Sequence, residues 1–263
     1  MLGIYLINKP TGITSHDLVD HLRKVTGEKT IGHAGTLDPL ASGLMIVAIG
    51  REFTRKISEF SKLDKEYITE ATLGATSTTY DAEGIITPPN LPLIKGGEVG
   101  LPAKEDIEAT IQSFVGTYDQ MPPIFSAKKV GGRKAYDLAR QGKVVTLKPV
   151  PVSIYEVELL DYQYPILKFR AKVSSGTYIR SLVNDIGQKL GTGAYMSNLV
   201  RTAIGDHQLS QAADLYQIKS VADLYSYQLP LNKEESPTQR VFSEPEGSLN
   251  RRSRPGGSRG GYN

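Results

Sequence analysis

Residues 31–50 read IGHAGTLDPLASGLMIVAIG, and the stretch ends in an uninterrupted apolar run, Leu44–Ile49, set between Gly43 and Gly50. Such a run, with no polar alternation, fits a strand buried on both faces. The fold must then supply a covering layer on each side of it. The run is far too short to cross a bilayer. Upstream, glycines 32, 35 and 43 permit tight turns and close approach of another backbone, and Pro39 stiffens the chain directly after Asp38. A buried strand below a stiffened loop presents one carboxylate on a firm support, which precise chemistry requires. Asp-Pro also starts ordinary turns, so on this reading Asp38 is either a chemical group or a loop cap.

The rest of the chain organises around this element. GIYLINKP reads as a first strand stopped by Pro10. Ser15 suits a helix N-cap, Leu18, Val19, Leu22 and Val25 form a stripe at helical spacing, and Gly27 suits the exit. Tyr67, Thr69, Ala71 and Leu73 alternate with Ile68, Glu70 and Thr72 as a strand does. Residues 85–101 are rich in Pro and Gly and read as a loop. Ile107, Ile111, Phe114 and Val115 define a second helix ended by Gly116. Val152–Leu160 and Leu167–Val173 read as strands. Ile179, Leu182, Val183, Ile186 and Leu190 mark a third helix stopped near Gly191, and Ala213–Tyr225 reads as a last helix. Strand and helix do not alternate regularly, so the fold class expected is α+β with a mixed or antiparallel sheet.

Composition excludes several chemistries. There is no cysteine, hence no disulfide framework, thiolate zinc site or cysteine nucleophile. The histidines His16, His21, His33 and His207 form no H-E-x-x-H arrangement. No metal and no cofactor are expected. The N-terminus lacks the pattern of a signal peptide, so a cytoplasmic protein is expected. From Lys233 onward only Val241, Phe242, Leu249 and Tyr262 are apolar, too few to offset ordering entropy. The expected division is therefore a domain over 1–232 and a disordered tail over 233–263. The last thirteen residues hold four arginines and no acid, so the remainder of the chain is nearly neutral. Charge concentrates instead between Lys128 and Lys143, where Lys128, Lys129, Arg133, Lys134, Arg140 and Lys143 face one acid, Asp137. That run is a solvated face or a nucleic-acid contact.

The run G-H-A-G-T-L-D-P-L-A-S-G resembles the catalytic signature of the TruB-type tRNA pseudouridine synthases. Other segments are similar in the same order: Lys9-Pro10 after the first strand, Lys65-Glu66-Tyr67, the basic stretch SAKKVGGRKAYDLARQG from Ser126 to Gly142, GTYIR from Gly176 to Arg180, and Leu199-Val200-Arg201-Thr202. The resemblance covers residues 1–205. Two departures stand out. The loop LGATSTTYDAEG is similar to the family's L-G-x-x-T-D-T-x-D-x-x-G, but Ser77 and Thr78 replace its first Thr and Asp. Only about thirty residues precede the tail beyond residue 205, too few for the RNA-binding PUA-type domain of many bacterial members, so no such domain is expected.

The resemblance implies a mixed, largely antiparallel central sheet flanked by helices, with a site in a cleft across it and a basic insertion, the thumb, over about 118–150. It implies Asp38, Tyr67 and Arg180 as catalytic residues. Asp38 is then the essential carboxylate, Tyr67 stacks on the target base, and Arg180 keeps Asp38 ionised. His33 would help displace the flipped nucleotide. Tyr178 and Leu199 would line the base pocket, or else pack in the core. Lys9, Lys128, Lys129, Arg133 and Lys134 complete the expected substrate-binding set. The partner implied is tRNA, through its TΨC stem-loop, with the chain acting as a monomer. Two rivals remain open: a guide-RNA-directed rRNA pseudouridine synthase and a non-catalytic tRNA-binding protein.

Overall fold

The computed structural model describes residues 2–88, 101–126, 129–130, 132–134, 141 and 146–230. The chain divides into a compact unit, Met1–Leu229, and a segment, Pro230–Asn263. Of the second only Pro230 is described, so the expectation for 233–263 lies outside the described residues.

The strands are β1 (Gly3–Lys9), β2 (Ile31–His33), β3 (Ser42–Ile49), β4 (Lys65–Leu73), β5 (Thr76–Ser77), β6 (Ile86–Thr87), β7 (Gly116–Gln120), β8 (Lys129–Val130), β9 (Arg133–Lys134), β10 (Val150–Gln163), β11 (Ile166–Val173), β12 (Ala194–Ile204), β13 (His207–Gln208) and β14 (Ala213–Asp214). Among the described residues the α-helices are α1 (Ser15–Thr26), α2 (Arg51–Thr54), α3 (Ile57–Ser61), α4 (Lys104–Gln112) and α5 (Ile179–Leu190). The main sheet runs β14-β1-β3-β12-β4-β11-β10-β7, with β13 on β12 and β2 on β3. The pairs β14–β1 and β12–β3 are parallel and all others antiparallel. The α+β class with a mixed, largely antiparallel sheet is thus what forms.

β3 is the strand whose burial the sequence demands. Met45, Val47 and Ile49 enter one apolar cluster, together with Leu18 and Leu22 of α1, Ile107 and Ile111 of α4, and Leu182, Val183 and Ile186 of α5. Leu44, Ile46 and Ala48 enter a second cluster, covered by Phe53, Ile57 and Phe60. Side chains of a strand point alternately to the two faces, so each half of the run meets its own layer. Among the described residues no helix is long and apolar enough to cross a membrane.

Three expectations are corrected. The N-cap of α1 is Thr14, not Ser15. Thr14 and Asp17 form a reciprocal capping box, which releases Ser15 for another task. The second helix ends at Gln112, and Gly116 opens β7 with φ 116°, a conformation that favours glycine. Ala213–Tyr225 is not a helix. Ala213 and Asp214 pair with Ile7 and Asn8 at the sheet edge, and the side chain of Asn8 donates to Asp214 at 2.7 Å. Leu215–Gln217 and Val221–Tyr227 are 3₁₀ turns. Pairing with an open sheet edge outweighs local periodicity here.

The insertion is sharply bounded. β7 and β10 pair from Gly116↔Ile154 to Gln120↔Val150, so the insertion opens after Gln120 and closes before Val150. Within them β8 and β9 form a short hairpin, Lys129↔Lys134 and Val130↔Arg133. Lys128 lies outside the described residues.

Candidate active site

Asp38 sits in the loop between β2 and β3, and ties from several elements hold that loop. Ala34 N–H donates to Ile46 C=O at 2.9 Å. Arg201, on β12, donates from Nη2 to Gly35 C=O at 3.1 Å and from Nε to Leu44 C=O at 2.7 Å. Ser15, buried at the start of α1, uses one hydroxyl for both backbone groups of Leu37: Oγ donates to the carbonyl and accepts from the N–H, each at 2.9 Å. Gly12 N–H donates to Pro39 C=O at 2.8 Å, and Ala41 N–H to Asp38 C=O at 3.1 Å. The turn contributing Gly12 is itself fixed by Lys9, whose fully buried side chain donates from Nζ to the Pro10 and Ile13 carbonyls at 2.9 and 2.7 Å. Burial lowers the Lys9 ammonium to about 8, although Asp38 acts to raise it. Gly43 permits the close parallel approach of β3 to β12, since a Cβ there would overlap the backbone of Arg201.

Opposite this loop stands Arg180, in the first turn of α5. It is 7% exposed, and its Nε lies 3.0 Å from Asp38 Oδ2, with Nη2 3.5 Å from Oδ1. This fork-on-carboxylate contact is charge-assisted and sets orientation as well as proximity. The same guanidinium donates from Nη1 to Asp81 Oδ2 at 3.1 Å and to Thr79 C=O at 3.2 Å, and from Nη2 to Phe125 C=O at 3.2 Å. Burying one cation between two carboxylates and two carbonyls offsets its desolvation, which an unpaired arginine would not do.

Asp81 is the site residue that sequence reasoning missed. It is 2% exposed, in the loop joining β5 to β6. Its Oδ1 accepts from the Thr79 hydroxyl and from Glu83 N–H. The departures Ser77 and Thr78 both support this loop: Ser77 Oγ accepts from Thr79 N–H at 3.3 Å, and Thr78 Oγ1 accepts from Ile85 N–H at 3.0 Å. Gly84 is required beside them, because a Cβ there would collide with Ser77 and Thr79. The sequence signal for Asp81 is its place in the T-x-D-x-x-G part of the family pattern, which Thr79, Asp81 and Gly84 match.

Burial pushes the Asp38 carboxyl above its ordinary value; Arg180 draws it down, Asp81 pushes it up and Lys9 draws it down, leaving it raised overall. The side chain keeps 36% of its surface open, so the carboxylate is within reach of a molecule from outside. Contact with a substrate that displaces water from this surface would leave Arg180 as the main counter-charge.

Tyr67 lies on β4, paired with Arg201 of β12 and Ala171 of β11. Leu199 pairs with Thr69 on the same face. Tyr67, Leu199, Leu37 and Ile179 belong to one cluster, which places the tyrosine and leucine on the face that carries the Asp38 loop and the start of α5. The Tyr67 hydroxyl has no hydrogen-bond partner among the described residues. Tyr178 is the residue before α5 and half-buried. His33, at the end of β2, is half-buried with Nδ1 unpartnered among the described residues. Burial and the neighbouring Arg201 hold its ring below its ordinary value, hence neutral. Lys129, Arg133 and Lys134 are placed by their backbone on the β8–β9 hairpin, separate from this cluster in sequence and joined to it by the segment after Gln120.

Fold and site together give a cluster in which a loop carboxylate is ion-paired with a buried helix arginine beside the central sheet. Comparison with known proteins identifies the family. The model of the "TruB family pseudouridylate synthase (N terminal domain)" matches residues 23–179, and that of the "tRNA pseudouridylate synthase B C-terminal domain" matches residues 180–243. A tRNA pseudouridine synthase B of Protochlamydia amoebophila is 48% identical over 84% of this chain and 81% of its own length. One of Bacteroides fragilis is 45% identical over 80% and 90%. The chain belongs to the TruB family of pseudouridylate synthases. Among solved structures, a protein of an H/ACA RNP bound to a substrate RNA containing 2′-deoxyuridine is similar with a TM-score of 0.59 and 26% identity, over 81% of this chain and 51% of that one. A chain of a Cbf5-Nop10-Gar1 complex is similar with a TM-score of 0.61 and 28% identity, over 81% and 52%. This chain therefore spans about half the length of those two.

Proposed function

We propose that this enzyme isomerises uridine to pseudouridine in tRNA, at the TΨC-loop uridine conventionally numbered fifty-five. The observation that carries the reading is the Asp38–Arg180 pair, set on the loop that bears the family's signature. The reaction breaks the N1–C1′ bond, turns the uracil and joins C5 to C1′. Atoms and electrons balance without a redox partner. Asp38 acts in its ionised form, either attacking C1′ as a nucleophile or removing the C2′ proton to give a glycal. Arg180 holds the carboxylate ionised and oriented. Tyr67 stacks on the base, and its hydroxyl relays the C5 proton, releasing its own proton to water as it takes up the one from C5. Tyr178 and Leu199 line the base pocket, and His33 enters the space left by the flipped nucleotide, because a stacked uridine shields the reacting carbons. Lys9 supports the Asp38 loop from behind.

Lys128, Lys129, Arg133 and Lys134 contact phosphates of the tRNA arm, fixing position rather than sequence. Recognition rests on the folded shape of the TΨC stem-loop. In this reading the enzyme acts in the cytoplasm, as a monomer, on tRNA. Incubating the purified chain with a uridine-labelled tRNA transcript, followed by nucleoside analysis, tests it. Pseudouridine formed without guide RNA or partner protein supports the reading; formation only when a guide RNA is supplied would move the assignment to the rRNA class, and none under either condition would leave a binding protein.

A further inference from the structure

Arg180 occupies a difficult place. It is the second residue of α5, where a cation opposes the positive end of the helix dipole. The preceding Tyr178 gives the helix no side-chain cap. The register of this first turn must therefore be set from outside, and Gln120 does so. Gln120 closes β7 and is 1% exposed. Its carboxamide takes both backbone groups of Tyr178: Oε1 accepts from Tyr178 N–H at 2.8 Å and Nε2 donates to Tyr178 C=O at 3.1 Å. Nε2 also donates to the Tyr118 hydroxyl at 2.7 Å, and that hydroxyl donates to Asp185 Oδ2 at 3.3 Å. The amide orientation is unambiguous, since a flip would set donor against donor and acceptor against acceptor. The next residues continue the strap. Met121 C=O accepts from Ser181 Oγ at 2.7 Å, and Phe125 C=O accepts from Arg180 Nη2 at 3.2 Å.

We propose that Gln120 is a positioning residue for the reaction: by clamping the Tyr178 backbone it sets the first turn of α5 so that the Arg180 guanidinium meets Asp38. It touches no reacting atom and acts through Arg180. The side chain is specific to the task. Glutamate in its place would accept but not donate, leaving a carboxylate against the Tyr178 carbonyl and the Tyr118 hydroxyl. Methionine would keep the bulk and make none of the bonds. The arrangement parallels the other side of the ion pair, where Ser15 clamps both backbone groups of Leu37 beside Asp38. Each partner of the pair is thus aimed by a buried side chain that grips neighbouring backbone. The proposal rests on the pseudouridine synthase reading above.

The test uses the full chain with Gln120→Met and Gln120→Glu, labelled tRNA transcript, single-turnover rates across pH, filter binding and thermal unfolding. Misplacing a catalytic group by about 1 Å costs on the order of a hundredfold in rate, so a loss of about that size is expected in both variants, with tRNA affinity within about twofold of wild type. A purely structural role would leave the pH profile in place. The groups facing Asp38 are Arg180 from α5, Asp81 from the β5–β6 loop and Lys9 from β1, with Glu83 also nearby. Displacing the guanidinium removes the nearest cation and leaves Asp81, so the acid limb of the profile should move to higher pH. Wild-type rate, or a rate loss with the acid limb unmoved, in either folded variant would overturn the proposal. If Gln120→Met does not unfold cooperatively, Gln120→Glu decides; failure of both to fold would assign Gln120 to the core and overturn it as well. Wild-type protein that forms no pseudouridine sinks both this proposal and the reading beneath it, whereas active wild type with indifferent Gln120 variants sinks this proposal alone.

Discussion

Asp38 and Asp81 share a single guanidinium. Arg180 presents Nε to Asp38 Oδ2 at 3.0 Å and Nη1 to Asp81 Oδ2 at 3.1 Å. The two carboxylates arrive from different loops, yet both are aimed at one cation whose helix would otherwise disfavour it. Asp81 is enclosed and held by Thr79 and Glu83, whereas Asp38 keeps an open side. One carboxylate therefore anchors the arginine from the buried side, and the other meets it from the open side.

Removing the anchor should show in both stability and rate. Asp81→Asn keeps the shape but gives up a charge-assisted hydrogen bond, worth ~1.5–3 kcal/mol. Thermal unfolding should report a loss of that order. The single-turnover rate should fall as Arg180 gains freedom, by roughly tenfold for each 1.4 kcal/mol of lost transition-state stabilisation. An Asp81→Asn enzyme with wild-type stability and rate would show that the anchor is dispensable.

The acid side of the rate profile separates the two neighbours by sign. In the proposed reaction Asp38 acts when ionised, and its carboxyl is raised by burial. The rate should therefore fall, as pH drops, at a midpoint above the ordinary aspartate value. Arg180 lowers this midpoint and Asp81 raises it. Arg180→Met should move it up and Asp81→Asn down. Single-turnover rates across pH on both variants would check this, and shifts in one common direction would contradict it. Arg180→Lys keeps the charge but loses the fork, so it should still lose much of the rate.

The Asp38 loop is legible in the sequence because its determinants are contiguous: the glycines, the Asp-Pro step and a doubly buried strand all lie between residues 31 and 50. Helix α5 is legible from one clean apolar stripe, and Arg180 from the five-residue motif around it. Asp81 is not, because its significance depends on Arg180, distant in sequence, and on a hairpin whose turn the Ser77, Thr78 and Thr79 hydroxyls help to hold. Ser15 reads wrongly as a cap because a helix start offers the same signal whether the hydroxyl turns inward or caps. Gln120 carries no local signature, since it acts on backbone of another element; Arg201 lies in the matched segment 199–202, but its hold on the Asp38 loop does not show there. The segment after Ala213 reads wrongly as a helix because the sheet edge it joins is formed by β1, at the opposite end of the domain's sequence.

Ser15 offers a direct check on how the loop is held. Ser15→Ala leaves both backbone groups of Leu37 without their buried partner, a loss of ~1–3 kcal/mol for an unsatisfied group. The melting temperature should fall, and the rate should fall further than tRNA affinity does. A variant with unaltered rate would show that the loop needs no support from α1.

The basic insertion is expected to act on phosphates. Replacing Lys128, Lys129, Arg133 and Lys134 together by glutamine should weaken tRNA binding and flatten the slope of log affinity against log salt, by on the order of 0.7–0.9 for each phosphate no longer neutralised. The rate at saturating tRNA should change little. An unaltered salt slope would remove these residues from the interface.

The central claim is that Asp38 carries the chemistry. Asp38→Asn keeps the size of the side chain and removes its charge. Single-turnover conversion of labelled tRNA by this variant, measured beside its tRNA affinity, is the most direct test. A fall in rate of several orders of magnitude, with binding and cooperative unfolding retained, is the result predicted. Pseudouridine formation at a near wild-type rate would contradict the account.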